Sequence, residues 1–211
     1  VTGVQTCALP ILKGYHLNTD FNTEQHQLGR AFSFVYGDKE NGACFNHMVV
    51  MYAFALYKRG YISEGWQVLS SIYNMAVNTA QSKIYPCIPE YFDLNGRGMY
   101  SYLTGSASWF LLTLVTEVFG LKGRYGDLII EPKLCAGQFH GKKISISRIF
   151  SGRRLRINFS YSGKSNPKRI IRAVLNSSNV TFQESSRLII RRNTILRLPK
   201  DKINKLDIIL S

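Results

Sequence analysis

Apolar residues recur at helical spacing in three stretches of the chain and then, beyond about residue 127, at alternating positions. The first helical stretch covers residues 45–59 and stops at Gly60, the residue type that most readily ends a helix in the left-handed conformation. Its apolar positions go all the way round, which predicts an interior helix surrounded by others. The second starts after Ser63, a good capping residue, and places Trp66, Leu69, Tyr73 and Ala76 on one stripe as far as Ala80. The third covers residues 106–119, with Thr104 as its cap and Gly120 as its stop. Alternating runs such as Lys143-Ile-Ser-Ile-Ser-Arg-Ile-Phe and Arg154-Leu-Arg-Ile-Asn-Phe predict strands, joined by others at 169–175, 187–190, 194–198 and 206–210. Gly, Ser, Asn and Pro clusters between these runs predict an antiparallel sandwich, so the chain reads as α then β, with the boundary near Gly126.

Composition changes this picture in three places. The 211 residues, 45% hydrophobic, suffice for a buried core, and no run of eighteen apolar residues predicts a membrane span. Cys7, Cys44, Cys87 and Cys135 lack metal-type spacing, so reduced thiols in a cytoplasmic protein are expected. Charge is divided unevenly: residues 1–126 hold nine Lys/Arg against eight Asp/Glu, and residues 127–211 hold eighteen against five. The basic residues of the tail alternate with Ile, Leu and Phe, the pattern of a solvated sheet face, so neither a nucleic-acid nor a membrane partner is expected from it. Residues 1–11, VTGVQTCALPI, resemble translated adapter read-through and are expected to be a non-native leader, which places the true start of the protein upstream.

Candidate chemistry clusters where helices begin. His47 opens the first helix, where its imidazole and free backbone N–H groups can converge on an anion, or where it can serve the helix as a structural histidine. Thr104-Gly-Ser-Ala-Ser108 opens the third, with small residues that admit a ligand close to the backbone or that simply cap and pack. No lysine follows a spaced glycine pair, so this is not a Walker-type loop. The long connection between the second and third helices is rich in Tyr, Gly and Pro. Tyr85, Tyr91, Tyr100 and Tyr102, with Phe92 and Trp109, can stack on sugar rings or merely pin the loop. Lys39, Glu40, Glu90 and Asp93 can bond to hydroxyls, yet nothing identifies the carboxylate pair that a glycosidase needs.

Taken in order, GDKENGACFNHMVVMYAFALYKRG, IPEYF, GRGMYSYLTGSASW and the later GDLIIEPKL resemble the carboxyl-terminal region of glycoside hydrolase family 94, most closely its cellodextrin phosphorylases. The likeness runs from about Leu12 to Phe139, and the strands after Gly141 agree only in character. It implies the last helices of an (α/α)6 barrel over residues 12–126 and a small antiparallel β-sandwich domain over 127–211. The implied reaction is reversible inverting phosphorolysis of β-linked gluco-oligosaccharides to α-glucose 1-phosphate, with phosphate as a substrate and no cofactor or metal. His47, Thr104 and Gly105 match the family's phosphate-binding positions, and Lys39 and Glu40 match positions that bond to sugar hydroxyls. The tyrosine-rich loop is assigned to an acceptor subsite. The family's catalytic Asp falls upstream of residue 1, so no residue of this chain is a candidate general acid, and the chain by itself is expected to be inactive. A homodimer is implied for the full-length enzyme. The residues leave other readings open: a β-1,2-glucan or other glycan phosphorylase or hydrolase on the same barrel, or a non-catalytic polyanion-binding module.

Overall fold

The computed structural model describes residues 5–6, 14–23, 25–29, 33–85, 87–102 and 104–211. Most of the expected 1–11 leader, Cys7 included, lies outside the described residues. Helices and antiparallel or mixed sheets make up the chain, in two compact units, 1–113 and 114–211.

In the first unit β1 (Gln5–Thr6) pairs antiparallel with β2 (Tyr15–His16), and β3 (Cys44–Phe45) leads into α1 (Asn46–Arg59), α2 (Ile62–Val77) and the single turn α3 (Thr79–Ser82). The chain returns through β4 (Tyr91–Phe92) and β5 (Gly98–Met99), which join β3 in a three-stranded antiparallel sheet, and then enters α4 (Gly105–Thr113). Gly60 closes α1 at φ 86°, in the left-handed region that glycine adopts most readily. α1 packs on both α2 and α4, burying Val49, Val50, Ala53 and Tyr57. Its opposite side is open: Met48, Met51 and Tyr52 are exposed, so the helix is not the fully interior element that its all-round apolarity predicts.

α2 also departs from its expected form. It begins at Ile62 with Tyr61 at the N-cap, so Ser63 lies within the first turn rather than capping it. The buried stripe is Gly65, Val68, Leu69 and Ile72, whereas Tyr73 is 54% exposed. Close approach of α1 explains the choice, because a Cβ on Gly65 would lie 2.8 Å from Cδ2 of the buried Tyr57 ring.

The second unit opens on a π-helical turn, Leu114–Val118. It continues through β6 (Leu121–Arg124), β7 (Asp127–Ile130), β8 (Lys143–Phe150), β9 (Arg153–Ser160), β10 (Ile170–Leu175), β11 (Ser178–Asn179), β12 (Leu188–Ile190), α5 (Arg192–Arg197) and β13 (Ile203–Leu210). The π turn and the β6–β7 hairpin belong with the strands. Lys133 N–H donates to the Val118 carbonyl at 2.9 Å, and the buried Glu117 carboxylate pairs with Lys133 at 3.1 Å and Lys122 at 3.5 Å. Five strands form one sheet in the order β11-β10-β13-β9-β8, and β12-β7-β6 form another. β13 runs parallel to β9, so the larger sheet is mixed rather than purely antiparallel.

The expected strand over 194–198 is instead α5. A short apolar run is ambiguous by periodicity, and here two distant side chains decide it. Asp127 accepts the Arg192 N–H at 2.7 Å at the helix start, and the Arg153 guanidinium donates to the Leu196 and Leu198 carbonyls, each at 2.7 Å, at its end. Ile195 is thereby turned into the core.

Gly120 is the sharpest test of this unit. At φ 69°, a Cβ there would lie 1.9 Å from the Glu131 carbonyl oxygen, whose N–H donates back to the Gly120 carbonyl at 3.0 Å. Gly120→Ala should therefore lower the thermal midpoint steeply or abolish cooperative unfolding, by backbone displacement rather than lost burial. A wild-type melting curve for this variant would show the hairpin placed wrongly.

Candidate functional site

The starts of α1 and α4 are drawn together by one backbone carbonyl. Pro89 oxygen accepts Asn46 Nδ2 at 2.8 Å and Ser106 Oγ at 3.0 Å, and both donors belong to fully buried residues in the first turns of the two helices. The next residue continues the tie, as the Glu90 carbonyl accepts the Asn46 N–H at 2.9 Å and its N–H donates to the Tyr100 carbonyl at 3.2 Å. Asn46 Oδ1 in turn receives the buried Cys44 thiol at 3.8 Å, so both ends of that amide are engaged.

The consequence is a close meeting of His47 and Gly105. A Cβ on Gly105 would lie 2.9, 3.2 and 3.3 Å from Cε1, Nε2 and Nδ1 of the His47 ring, so any larger residue there would push the imidazole aside. Trp109, one turn along α4, stands with its ring centroid 6.4 Å from that of His47 and meets Phe54 edge-on at 5.5 Å, which backs the half-buried imidazole on one side. Thr104 acts as the cap of α4, its Oγ1 accepting the Ser106 N–H at 3.2 Å. Ser106 spends its hydroxyl proton on Pro89, so in the short contact between the two hydroxyls Thr104 is the donor. That proton can rotate to another acceptor. α1 has no side-chain cap at Phe45, and its first-turn N–H groups beyond Asn46 lack intrahelical acceptors. The starts of α1 and α4 thus lie side by side at His47 and Gly105, with the Thr104 hydroxyl capping the second, and helix starts favour negative charge.

A second group sits in the turn before β3. Lys39 has a left-handed backbone, φ 47°, and its Nζ lies 5.3 Å from the Phe34 ring centroid and 4.7 Å from that of Tyr100, itself left-handed at φ 56°. Tyr100 continues to Tyr91 at 5.9 Å and to Tyr102 at 5.6 Å, and the Tyr91 hydroxyl donates to Asp38 in a short bond. Burial, and then that carboxylate, hold the Tyr91 phenol above its usual range. The turn is fixed from outside by amides: Asn18 Nδ2 donates to Asn41 Oδ1 at 2.9 Å, Asn18 Oδ1 accepts the Gly42 N–H at 2.8 Å, and His16 Nδ1 donates to the Gly42 carbonyl. Two buried polar atoms here have no hydrogen-bond partner, Glu40 Oε2 and His16 Nε2.

No protein-family model and no curated protein matches the chain.

Among the sugar-contact candidates, Asp93 is committed elsewhere, since its Oδ1 accepts the Asn95 and Arg97 N–H groups at 2.9 and 2.8 Å and shapes their turn. Phe92 is wholly buried, and Tyr85 is 84% exposed. The residues that build the site from behind, Asn46, Pro89, Ser106, His16, Asn18 and Asn41, carry no sequence signal beyond their neighbourhood to His47, Thr104 and Lys39. Among the described residues no group of three His, Cys, Asp or Glu side chains could hold a metal ion.

Cys44 supplies a pH test of the clamp. Burial pushes its thiol up to about 12, against a small opposing bond from the Tyr15 backbone, so it stays a neutral donor to Asn46. A raised folded value means that stability is intact below the unfolded thiol range near 9 and falls as pH rises toward about 12, and Tyr91 and Tyr15 shift in the same direction. Urea midpoints measured at steps from neutral to strongly alkaline pH should therefore decline, and Cys44→Ala should give a shallower decline. Identical slopes for the two proteins would remove Cys44 from this role.

Proposed function

We propose that this chain is the carboxyl-terminal part of an inverting glycoside phosphorylase of glycoside hydrolase family 94. In this reading it carries the phosphate site and part of the sugar site of an enzyme acting on β-linked gluco-oligosaccharides of the cellodextrin kind. The observation that supports the reading best is the contact of His47 with Gly105 between two helix starts, a cradle suited to a tetrahedral dianion. The His47 imidazole, the Thr104 hydroxyl and the N–H groups at the start of α4 would hold phosphate. Lys39 and Glu40 would bond to sugar hydroxyls, with the donor-less Glu40 Oε2 receiving one of them.

The chemistry then divides cleanly. A phosphate oxygen attacks the anomeric carbon from the face opposite the leaving group, the bond from that carbon to the glycosidic oxygen breaks, and the leaving oxygen takes a proton from a general acid. The residues of this chain orient the nucleophile and hold the sugar, which raises the effective concentration of the two reactants. The general acid belongs to a preceding segment of the enzyme, in a cytoplasmic protein whose helices complete an (α/α)6 barrel and whose strands form a β-sandwich. The exposed Met48, Met51 and Tyr52 of α1 are then the side on which preceding helices pack. Tyr100 and Tyr102, beside Lys39, serve an acceptor subsite.

Titration of the chain with inorganic phosphate, followed by NMR at the His47 ring and the Gly105 amide, tests the site. Both should shift together and saturate, and His47→Gln should weaken binding about 10- to 100-fold, the worth of one hydrogen bond to a charged group. Gly105→Ala should do at least as much by displacing the ring. Absence of saturable shifts, or unchanged affinity in both variants, would contradict the assignment. The chain alone should release no glucose 1-phosphate from cellodextrin and phosphate, and detecting it would place the general acid within these residues.

A further inference from the structure

The net charge of the protein lies wholly in the second unit. Residues 1–113 hold seven Lys/Arg and seven Asp/Glu, and residues 114–211 hold twenty and six. Four of those six acids are engaged locally: Glu117 with Lys122 and Lys133, Asp127 with Arg191, Glu131 with Lys122 and Arg187, and Glu184 with Arg187. A fifth, Asp207, accepts the Asn158 amide at 2.7 Å.

The register of the five-stranded sheet decides where the remaining cations go. Its inner face is apolar, with Leu155, Ile157 and Phe159 beside Leu206 and Ile208. Its outer face is a grid of cross-strand neighbours: Arg172, Ile209, Ser160 and Lys143 in one row, Val174, Asp207, Asn158 and Ser145 in the next, Lys205, Arg156 and Ser147 in a third, and Ile203, Arg154 and Ile149 in a fourth. Arg156 and Lys205 are direct partners about 4.8 Å apart at the backbone, and Arg154 follows on the same face about 6.6 Å along the strand. Like charges placed side by side on a sheet oppose its formation. Among the described residues no acidic side chain is ion-paired to Lys143, Arg154, Arg156, Arg172 or Lys205. The alternating sequence alone reads as a solvated face, but in these four rows one acid, Asp207, stands against five cations, Lys143, Arg154, Arg156, Arg172 and Lys205. Beside the cations stand apolar knobs, with Ile149 70% and Ile203 56% exposed on either side of Arg154.

We propose that this outer sheet face is a docking surface for an anionic phospholipid membrane. Cations next to a negative leaflet, interspersed with aliphatic side chains that reach the headgroup boundary, are the chemistry of proteins that lie on a membrane. No described helix is long and apolar enough to cross one, which is compatible with peripheral contact. The grid carries no aromatic side chain, so unpaired bases would find no stacking platform, and a sheet face has no helix or ribbon to enter a duplex groove. A second copy of the same face is opposed by its own charge.

Co-sedimentation of the full chain with phosphatidylcholine vesicles, with and without phosphatidylglycerol, tests this at low and high salt. Binding should require the anionic lipid and weaken strongly at high salt. Each cation at such a surface is worth roughly five-fold in partition, so the triple variant Arg154→Glu, Arg156→Glu, Lys205→Glu should bind at least about 100-fold more weakly. All three positions are exposed, so the near-UV circular dichroism of the triple variant should match wild type. The pair Ile149→Ser, Ile203→Ser should lose several-fold with its charge intact. Equal binding to neutral vesicles, a triple variant that binds like wild type, or retention on single-stranded RNA with none on anionic vesicles would each overturn the proposal.

Discussion

The Pro89 carbonyl has two lone pairs, and both are taken by side chains that begin helices: Asn46 from α1 and Ser106 from α4. The candidate site depends on this one shared acceptor. Without it the buried Asn46 amide would carry an unmet hydrogen bond, at roughly 1–3 kcal/mol, and the Ser106 hydroxyl would keep only Thr104, so the two helix starts are held side by side rather than merely allowed to be so. Their proximity puts His47 over Gly105, where a Cβ would push the imidazole ring aside. Glu90 then carries the tie to Tyr100 and so to Lys39, which places the turn of Lys39 and Glu40 in the same framework.

In the proposed reading, that framework would let an electrically balanced unit hold an anion. Its seven cations equal its seven acids, so attraction for an anion has to come from oriented N–H groups at helix starts and from hydroxyl and imidazole donors. The strongly basic second unit works differently, with full charges spread over a sheet face and few acids left to offset them. Net charge and local site chemistry are thus separate properties in this protein.

How much was legible in the sequence follows from how local each signal is. α1 and its Gly60 stop were visible because capping and periodicity are encoded within a few residues. The strand at 143–150 and its partner around 154–159 were visible for the same reason. The expected strand at 194–198 was not a strand, because Asp127 and Arg153, far away in sequence, satisfy the ends of a helix there. The parallel pairing of β9 with β13 was likewise hidden, since alternation fixes a strand's faces but not its direction. The buried stripe of α2 was misplaced because Gly65, rather than a large apolar residue, marks the contact with Tyr57. At the site, His47, Thr104 and Gly105 were legible as helix starts. The Pro89 acceptor that unites them was not, because a backbone carbonyl has no sequence signature.

The central claim, that one carbonyl joins two helix starts and so brings an imidazole onto a glycine, is tested most directly by a nuclear Overhauser contact between the His47 ring and the Gly105 α-protons. The geometry predicts a strong cross-peak in the wild-type chain and its loss when Asn46→Ala and Ser106→Ala are combined. No cross-peak in the folded wild-type protein, or an undiminished one in the folded double variant, would contradict it.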